Sequence, residues 1–279
     1  MKNISMTFVL FFYLLIGISY ADDKQQSINT TLTFGVVPQQ SASKLARLWT
    51  PILQQISAQT GVNIKFRTAK NIPTFEKRVL AGEYDFAYMN PYHFTVYSKE
   101  PGYKAFAKAL DKKIKGIIVI KKDSKLSLMK QLSGQQLAFP APAAFAATVL
   151  PRAYFAKQGI SISEKYVSSH DSVYRGVAKG LFPAGGGVVR TFKNMQVEIR
   201  DQLKILWISK GYTPHAFAVH PRVNSRLIKK VQAAFIALNQ SEQGKKLLYS
   251  IKLKGITKAK DVDWDDVRGL NIDLLGNKR

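Results

Sequence analysis

LAFPAPAAFAATVLPR, residues 137–152, decides how the rest of the chain is read. Leu137, Ala138 and Phe139 predict the end of a buried strand. Pro140 and Pro142 mark a tight loop, and the alanine-rich run after them predicts a helix. A helix that starts directly after a strand presents backbone N–H groups without intrahelical partners, the physical basis of anion binding at such turns. The stretch is therefore expected at the mouth of a ligand cleft between two lobes.

Working outward, the flanking segments divide into two β/α units. TLTFGVV at 31–37 alternates as a first strand, and the loop 38–43 leads to a helix with Ser43 as its expected cap. Leu45, Leu48, Trp49, Ile52, Leu53 and Ile56 share one face of that helix, and Gly61 ends it. A strand at 62–68, a helix at 74–81 and a strand at 84–89 follow. This β-α-β-α-β order predicts a parallel sheet with covering helices. A second unit, about 122–211, sits inside the first. It holds the opening stretch, the turn Ser168-Ser169-His170-Asp171 and the unusual AGGGVV at 184–189, where a buried strand would fall. HAFAVH at 215–220 leads back out, and amphipathic helices at 224–238 and 241–250 close the first unit. Lobe one is thus expected at 32–114 plus 216–275 and lobe two at 122–211. Residues 115–121 and 212–215 are the expected hinge. Hinged lobes place a ligand cleft at the crossover.

Composition narrows the function. The chain has 279 residues, enough for two lobes, and no cysteine. That removes disulfides, thiolate metal sites, a cysteine nucleophile and a lipidated N-terminal cysteine. Residues 1–21 predict a cleaved secretory signal, with Lys2 ahead of the apolar run 6–16 and a small-residue exit at Ser19-Tyr20-Ala21. That run is short for a membrane span, so export to a bacterial periplasm without a lipid anchor is expected. Cleavage would remove Lys2 alone from a formal charge of +24, leaving +23. The lysines are scattered, with no block of five or six like charges. They predict a basic, solvated surface and attraction toward an anionic ligand or lipid, not a nucleic-acid face.

Catalysis finds no support. Gly-x-Ser-x-Gly does not occur, and the acid beside His170 is Asp171, expected to cap the following helix. His215 and His220 have no spacing that suits a metal. Gly185–Gly187 suits close backbone packing better than phosphate cradling and does not match a P-loop. His93 is expected to be structural. His170 fits either a cleft or an ordinary helix start, and Arg190 either a bidentate anion contact or an exposed surface position. Tyr88 and Tyr92 either cap the core or meet a ligand. No catalytic residue, metal or cofactor is expected.

In order along the chain, FGVVP (34–38), GEYDFAYMNPYHF (82–94), GIIVIKKDS (116–124), AFPAPAAFAATVLPR (138–152), SSHDSVYRGVAKG (168–180), GYTPHAFAVHP (211–221) and DVDWDDVRGL (261–270) resemble the phosphate/phosphite/phosphonate-type substrate-binding proteins of ABC importers. That resemblance implies an α/β, two-lobed periplasmic binding protein type II fold, each lobe a β-sheet with covering helices, joined by two crossover strands. It implies a monomer that carries a small, anionic solute to an inner-membrane ABC permease. His170 matches the family histidine that contacts phosphonate oxygens, and Tyr88, Asn90 and Tyr92 match the loop lining the cleft. Where the family places a Ser-Thr-Ser cluster at the helix start, this chain has Ala144, Phe145 and Ala146. Arg190 stands where aminoalkylphosphonate binders offer an acid. These departures point to an oxyanion met by Arg190 and His170, or to a ligand with an apolar part. The alternative on the same fold is a ligand-sensing or envelope-interaction protein with a non-phosphonate ligand.

Overall fold

Two separate β-sheets, each covered by helices, organise the computed structural model, which describes residues 31–272 and 275. The expected signal at 1–21 lies outside the described residues. In chain order the first lobe begins β1 (Thr31–Val36), α1 (Ala42–Thr60), β2 (Asn63–Arg67), α2 (Ile72–Leu80), β3 (Phe86–Met89), α3 (Pro91–Tyr97) and β4 (Lys104–Ala109). The second lobe follows with β5 (Gly116–Lys121) and β6 (Gln136–Phe139). A π-helical turn, Phe145–Val149, then runs into α4 (Leu150–Lys157). Next come β7 (Ser163–Tyr166), α5 (His170–Ala178), β8 (Ala184–Val188), α6 (Val189–Lys193), α7 (Val197–Arg200) and β9 (Leu203–Ile208). The chain returns through β10 (Ala216–Val219), α8 (Ser225–Ala237), α9 (Glu242–Ser250) and β11 (Ile256–Lys258) to complete lobe one.

The first sheet runs β11-β4-β10-β3-β1-β2 and is parallel only across β2, β1 and β3. β10, re-entering from the far lobe, pairs antiparallel with β3 and β4, and β11 pairs antiparallel with β4. The expected parallel sheet thus holds for the β-α-β-α-β half alone. The second sheet runs β7-β6-β8-β5-β9, with β6 parallel to its neighbours and β5 antiparallel to β8 and β9.

Most of the segment expected as hinge, 115–121, forms a strand. Gly116–Lys121 lies inside the second sheet along its whole length, and Ala216–Val219 lies inside the first. The crossing is a single antiparallel bridge, Ile114 with Tyr212, closed by reciprocal N–H···O bonds of 2.7 and 3.0 Å. An uninterrupted apolar run such as IIVI marks a strand buried on both faces, and here those faces belong to lobe two.

Packing explains the odd strand AGGGV. Ile117 and Val119 face α5, while Ile118 and Ile120 face Leu137, Phe139 and Phe155. A Cβ built on Gly186 would lie 1.9 Å from the Ala147 carbonyl oxygen, and one on Gly116 would lie 2.0 Å from that of Ala146. The π-turn is therefore seated directly on the backbone of β5 and β8. Lobe one is cored by aromatic rings: Phe34 meets Trp49 and Phe235 at 5.7 Å, and Phe217 meets Tyr88 at 4.8 Å. Helix starts are fixed by caps. Asn71, Asn90 and Ser169 each accept a backbone N–H of the following helix. Ser43 is not a cap; α1 begins at Ala42, with Ser41 at the cap position, two residues earlier.

Gly186→Ala and Gly116→Ala should each lower stability by about 1–3 kcal/mol through overpacking. The midpoint of urea unfolding measures this, and an unchanged midpoint would show that the π-turn can move off the sheet.

Candidate functional site

The cleft is built where three strand ends and two helix starts of opposite lobes meet. Gln39 follows β1, Tyr88 and Asn90 end β3, and His215 precedes β10, all on lobe one. Facing them are the π-turn, the start of α5 with His170, and α6 with Arg190 and Thr191.

The lobes touch through named contacts. The Asn90 carboxamide oxygen accepts from His93 N at 2.8 Å, while its Nδ2 donates across the cleft to the Ala143 carbonyl at 3.2 Å. His170 N donates to the Gln39 carbonyl at 3.1 Å. Arg190 donates from Nη2 to the Gln39 side-chain oxygen. Lys44 donates to the Asn194 carbonyl. Asp171 is not the cap of α5; the Ser169 hydroxyl is, accepting from Ser172 N at 3.1 Å. The carboxyl of Asp171 is pushed up by burial and held down by Lys44, the backbone of Ser41 and the Gln40 side chain, so it faces the start of α1. Ser168, at φ 70°, occupies the left-handed region that a non-glycine residue adopts at a cost. That strain turns the chain so that Ser169 caps α5 and His170 enters the cleft.

Arg190 lies over the Tyr88 ring, 5.7 Å from its centroid, and Tyr88 stacks on His215 at 4.9 Å and 18°. His170 is buried, with Nδ1 3.1 Å from the Thr191 hydroxyl, which is itself bound to Tyr174 at 2.8 Å. Burial, with Arg190 a smaller contribution, pushes His170 down to about 3. The same causes push His215 well below the usual histidine range, and its Nε2 has no partner. Both rings are neutral at physiological pH. Positive charge at this wall therefore comes from Arg190 and not from His170.

Of the residues expected here, Tyr88, Asn90, Ala144, Phe145, Ala146, His170 and Arg190 come together at the cleft. Tyr92 does not. The helix turns it away from Asn90, and its hydroxyl accepts from Leu275 N at 3.0 Å. Phe145 is buried edge-on against Tyr212 at 5.5 Å, tying the turn to the hinge. The space between Asn90, Ala144–Ala147, His170 and His215 is only about 10 Å³, roughly what one water needs. Beside it, between Tyr88, Arg190, His215 and the lysines of the hinge, lies a cavity of about 140 Å³. Gln39, His215 and Lys112 escaped the sequence reading. In the sequence Gln39 is an ordinary loop residue, and nothing around His215 marks it beyond the metal-ligand chemistry common to histidines. Among the described residues no group of histidines and acids is placed to hold a metal.

The sequence model of a family described as "ABC transporter, phosphonate, periplasmic substrate-binding protein" matches residues 34–264. The "Phosphate-import protein PhnD" of Mycolicibacterium smegmatis is 21% identical, covering 95% of this chain and 94% of that protein. Among solved structures, a binding protein component of an ABC phosphonate transporter from Pseudomonas aeruginosa superposes with a TM-score of 0.81 at 18% identity, covering 87% of this chain and 86% of that one. PhnD1 of Prochlorococcus marinus, in complex with methylphosphonate, gives 0.78 at 18% identity, covering 86% and 98%. At these identities the two structures show a shared fold.

Because His170 stays neutral in the fold, its contribution to stability is full above the ordinary histidine value of 6.5 and is lost as pH falls below it toward about 3. Stability should fall by about 1.4 kcal/mol per pH unit for such a group. Urea unfolding between pH 6.5 and 4.5 should therefore be less pH-dependent in His170→Asn than in the natural chain; equal slopes would mean the ring protonates in place.

Proposed function

Because this chain belongs to the periplasmic substrate-binding proteins of phosphonate ABC transporters, a transport family and not a catalytic one, we propose that it captures a small anionic solute by closure of two lobes and delivers it to a membrane permease. The observation that carries this is Arg190. It is fixed by Gln39 from the opposite lobe, laid over Tyr88, and set in a cleft whose two histidines, His170 and His215, are uncharged. A guanidinium held in this way offers a forked donor to an oxyanion.

In this reading lobe one, 32–114 with 216–275, presents Tyr88, Asn90 and Gln39, and lobe two, 122–211, presents the Ala144–Ala147 turn, His170 and Arg190. The protein acts as a monomer in the periplasm, following the expected removal of residues 1–21. Closure removes water from Arg190, so its attraction for the solute grows as the local dielectric falls. The mycobacterial relative is named for phosphate import and the Prochlorococcus relative is complexed with methylphosphonate, so oxyanions are the first solutes to try.

A second reading has its own observation. Ala144, Phe145 and Ala146 leave no hydroxyl donors at the helix start, and the space there is about 10 Å³. On that basis the same fold would serve ligand sensing or contact with another envelope protein, with a non-phosphonate ligand.

Isothermal titration with phosphate, phosphite and methylphosphonate separates the two. Binding of any of them, weakened at least about tenfold by Arg190→Ala or His170→Ala, is the expected result. Silence toward every oxyanion would remove the transport-of-oxyanion reading.

A further inference from the structure

We propose that the anionic group of the solute sits in the lysine-lined chamber at the hinge, not at the helix start, and that the solute is a compact organic anion with an apolar or aromatic part. This rests on reading the cleft as an anion site, and it locates and specifies that site. Space is the first ground. The helix-start cavity is about 10 Å³ and the chamber about 140 Å³, below the roughly 300–1,000 Å³ of pockets for drug-sized ligands.

Charge is the second ground. Lys112, Lys113, Lys115, Arg190, Lys193 and Lys252 line the chamber, and its lining includes no acid. Asp266 approaches from outside and pairs with Lys113 at 3.5 Å; the Lys112 ammonium rests on the Lys252 carbonyl. Burial, with Arg190, Lys193 and Lys254 nearby, lowers Lys112 to about 8. The cations there repel one another, with Asp266 offsetting Lys113 and the Tyr249 ring, 4.6 Å away, facing the Lys252 ammonium. Between them the walls are apolar: Ile114, Val188, Pro214 and Leu253, with Tyr88 and His215 stacked at one side. A wholly hydrated ion such as phosphate gains nothing from those walls, whereas an apolar substituent does.

Placement is the third ground. Lys112 belongs to the crossing segment, Arg190 and Lys193 to α6 of lobe two, and Lys252 to the loop after α9 of lobe one. Like charges on three parts that must approach oppose closure, and an anion among them reverses the sign of that interaction. The chamber therefore couples occupancy to closure.

Titration calorimetry of the full chain with phenylphosphonate, methylphosphonate and inorganic phosphate tests this at fixed ionic strength. Phenylphosphonate should bind tightest. Lys193→Glu, on an exposed side chain whose replacement leaves the core alone, and Lys112→Met should each weaken it tenfold or more. Lys229→Glu, an equal charge change on the exposed face of α8, should stay within twofold. Phenylphosphonate binding that ignores Lys193→Glu and Lys112→Met, or that Lys229→Glu weakens equally, overturns the chamber while leaving the cleft an anion site. Absence of binding by all three probes overturns both.

Discussion

The carbonyl oxygens of Ala146 and Ala147 occupy the space that side chains at positions 116 and 186 would fill, and much else follows from that contact. Gly185 is blocked in turn by Val173, and Gly187 by the Tyr174 hydroxyl. β8 is thus pressed from both faces by helices that leave no room for a Cβ. This close approach pulls the π-turn deep into lobe two and brings Ala144 and Phe145 to the cleft. It also sets Val188 and α6 at the height where Arg190 meets Gln39. The site is an outcome of backbone-to-backbone packing as much as of side-chain chemistry.

Around that scaffold the cleft separates two tasks that a binding site often combines. Desolvation keeps His170 and His215 neutral, so they act as shape and as hydrogen-bonding groups. Formal charge is left to Arg190 and to lysines on the hinge side. In the proposed function, a neutral wall beside a charged one would give the solute a preferred orientation, with its anionic end toward the cations. Gln39 is central here because its carbonyl and its carboxamide hold His170 and Arg190 at once.

Much of this was legible in the residues. The helical face of α1, the inserted second lobe and the packing role of the glycine run all follow from periodicity and from the absence of a side chain, which are local signals. The β4 strand KAFAKA escaped because Lys104 and Lys108 disguise its alternation, although Lys108 is engaged by Asp263 at 2.9 Å. β11, three residues long, carries too little pattern to see. Ile114 and Ile117–Ile120 look alike in sequence, and only pairing partners tell the bridge residue from the central strand. In the site, Arg190 and His170 stood out by chemistry. Tyr92 failed because helical rotation, and not sequence distance from Asn90, decides where a side chain points. Gln39 and Lys112 matter through what the other lobe brings to them, which no single stretch of sequence encodes.

The two sheets share no strand and are joined at Ile114 and Tyr212 by a single two-bond bridge. Rotation about that bridge would leave both hydrogen-bond ladders whole, so the proposed closure would not disturb either sheet. In the proposed closure such a joint would serve as a pivot between the lobes. Cleft-rim contacts, standing far from the bridge, would set the resting angle with long leverage. Selection can then adjust how readily the molecule opens by altering rim contacts such as Asn90 with Ala143, without touching the stability of the cores.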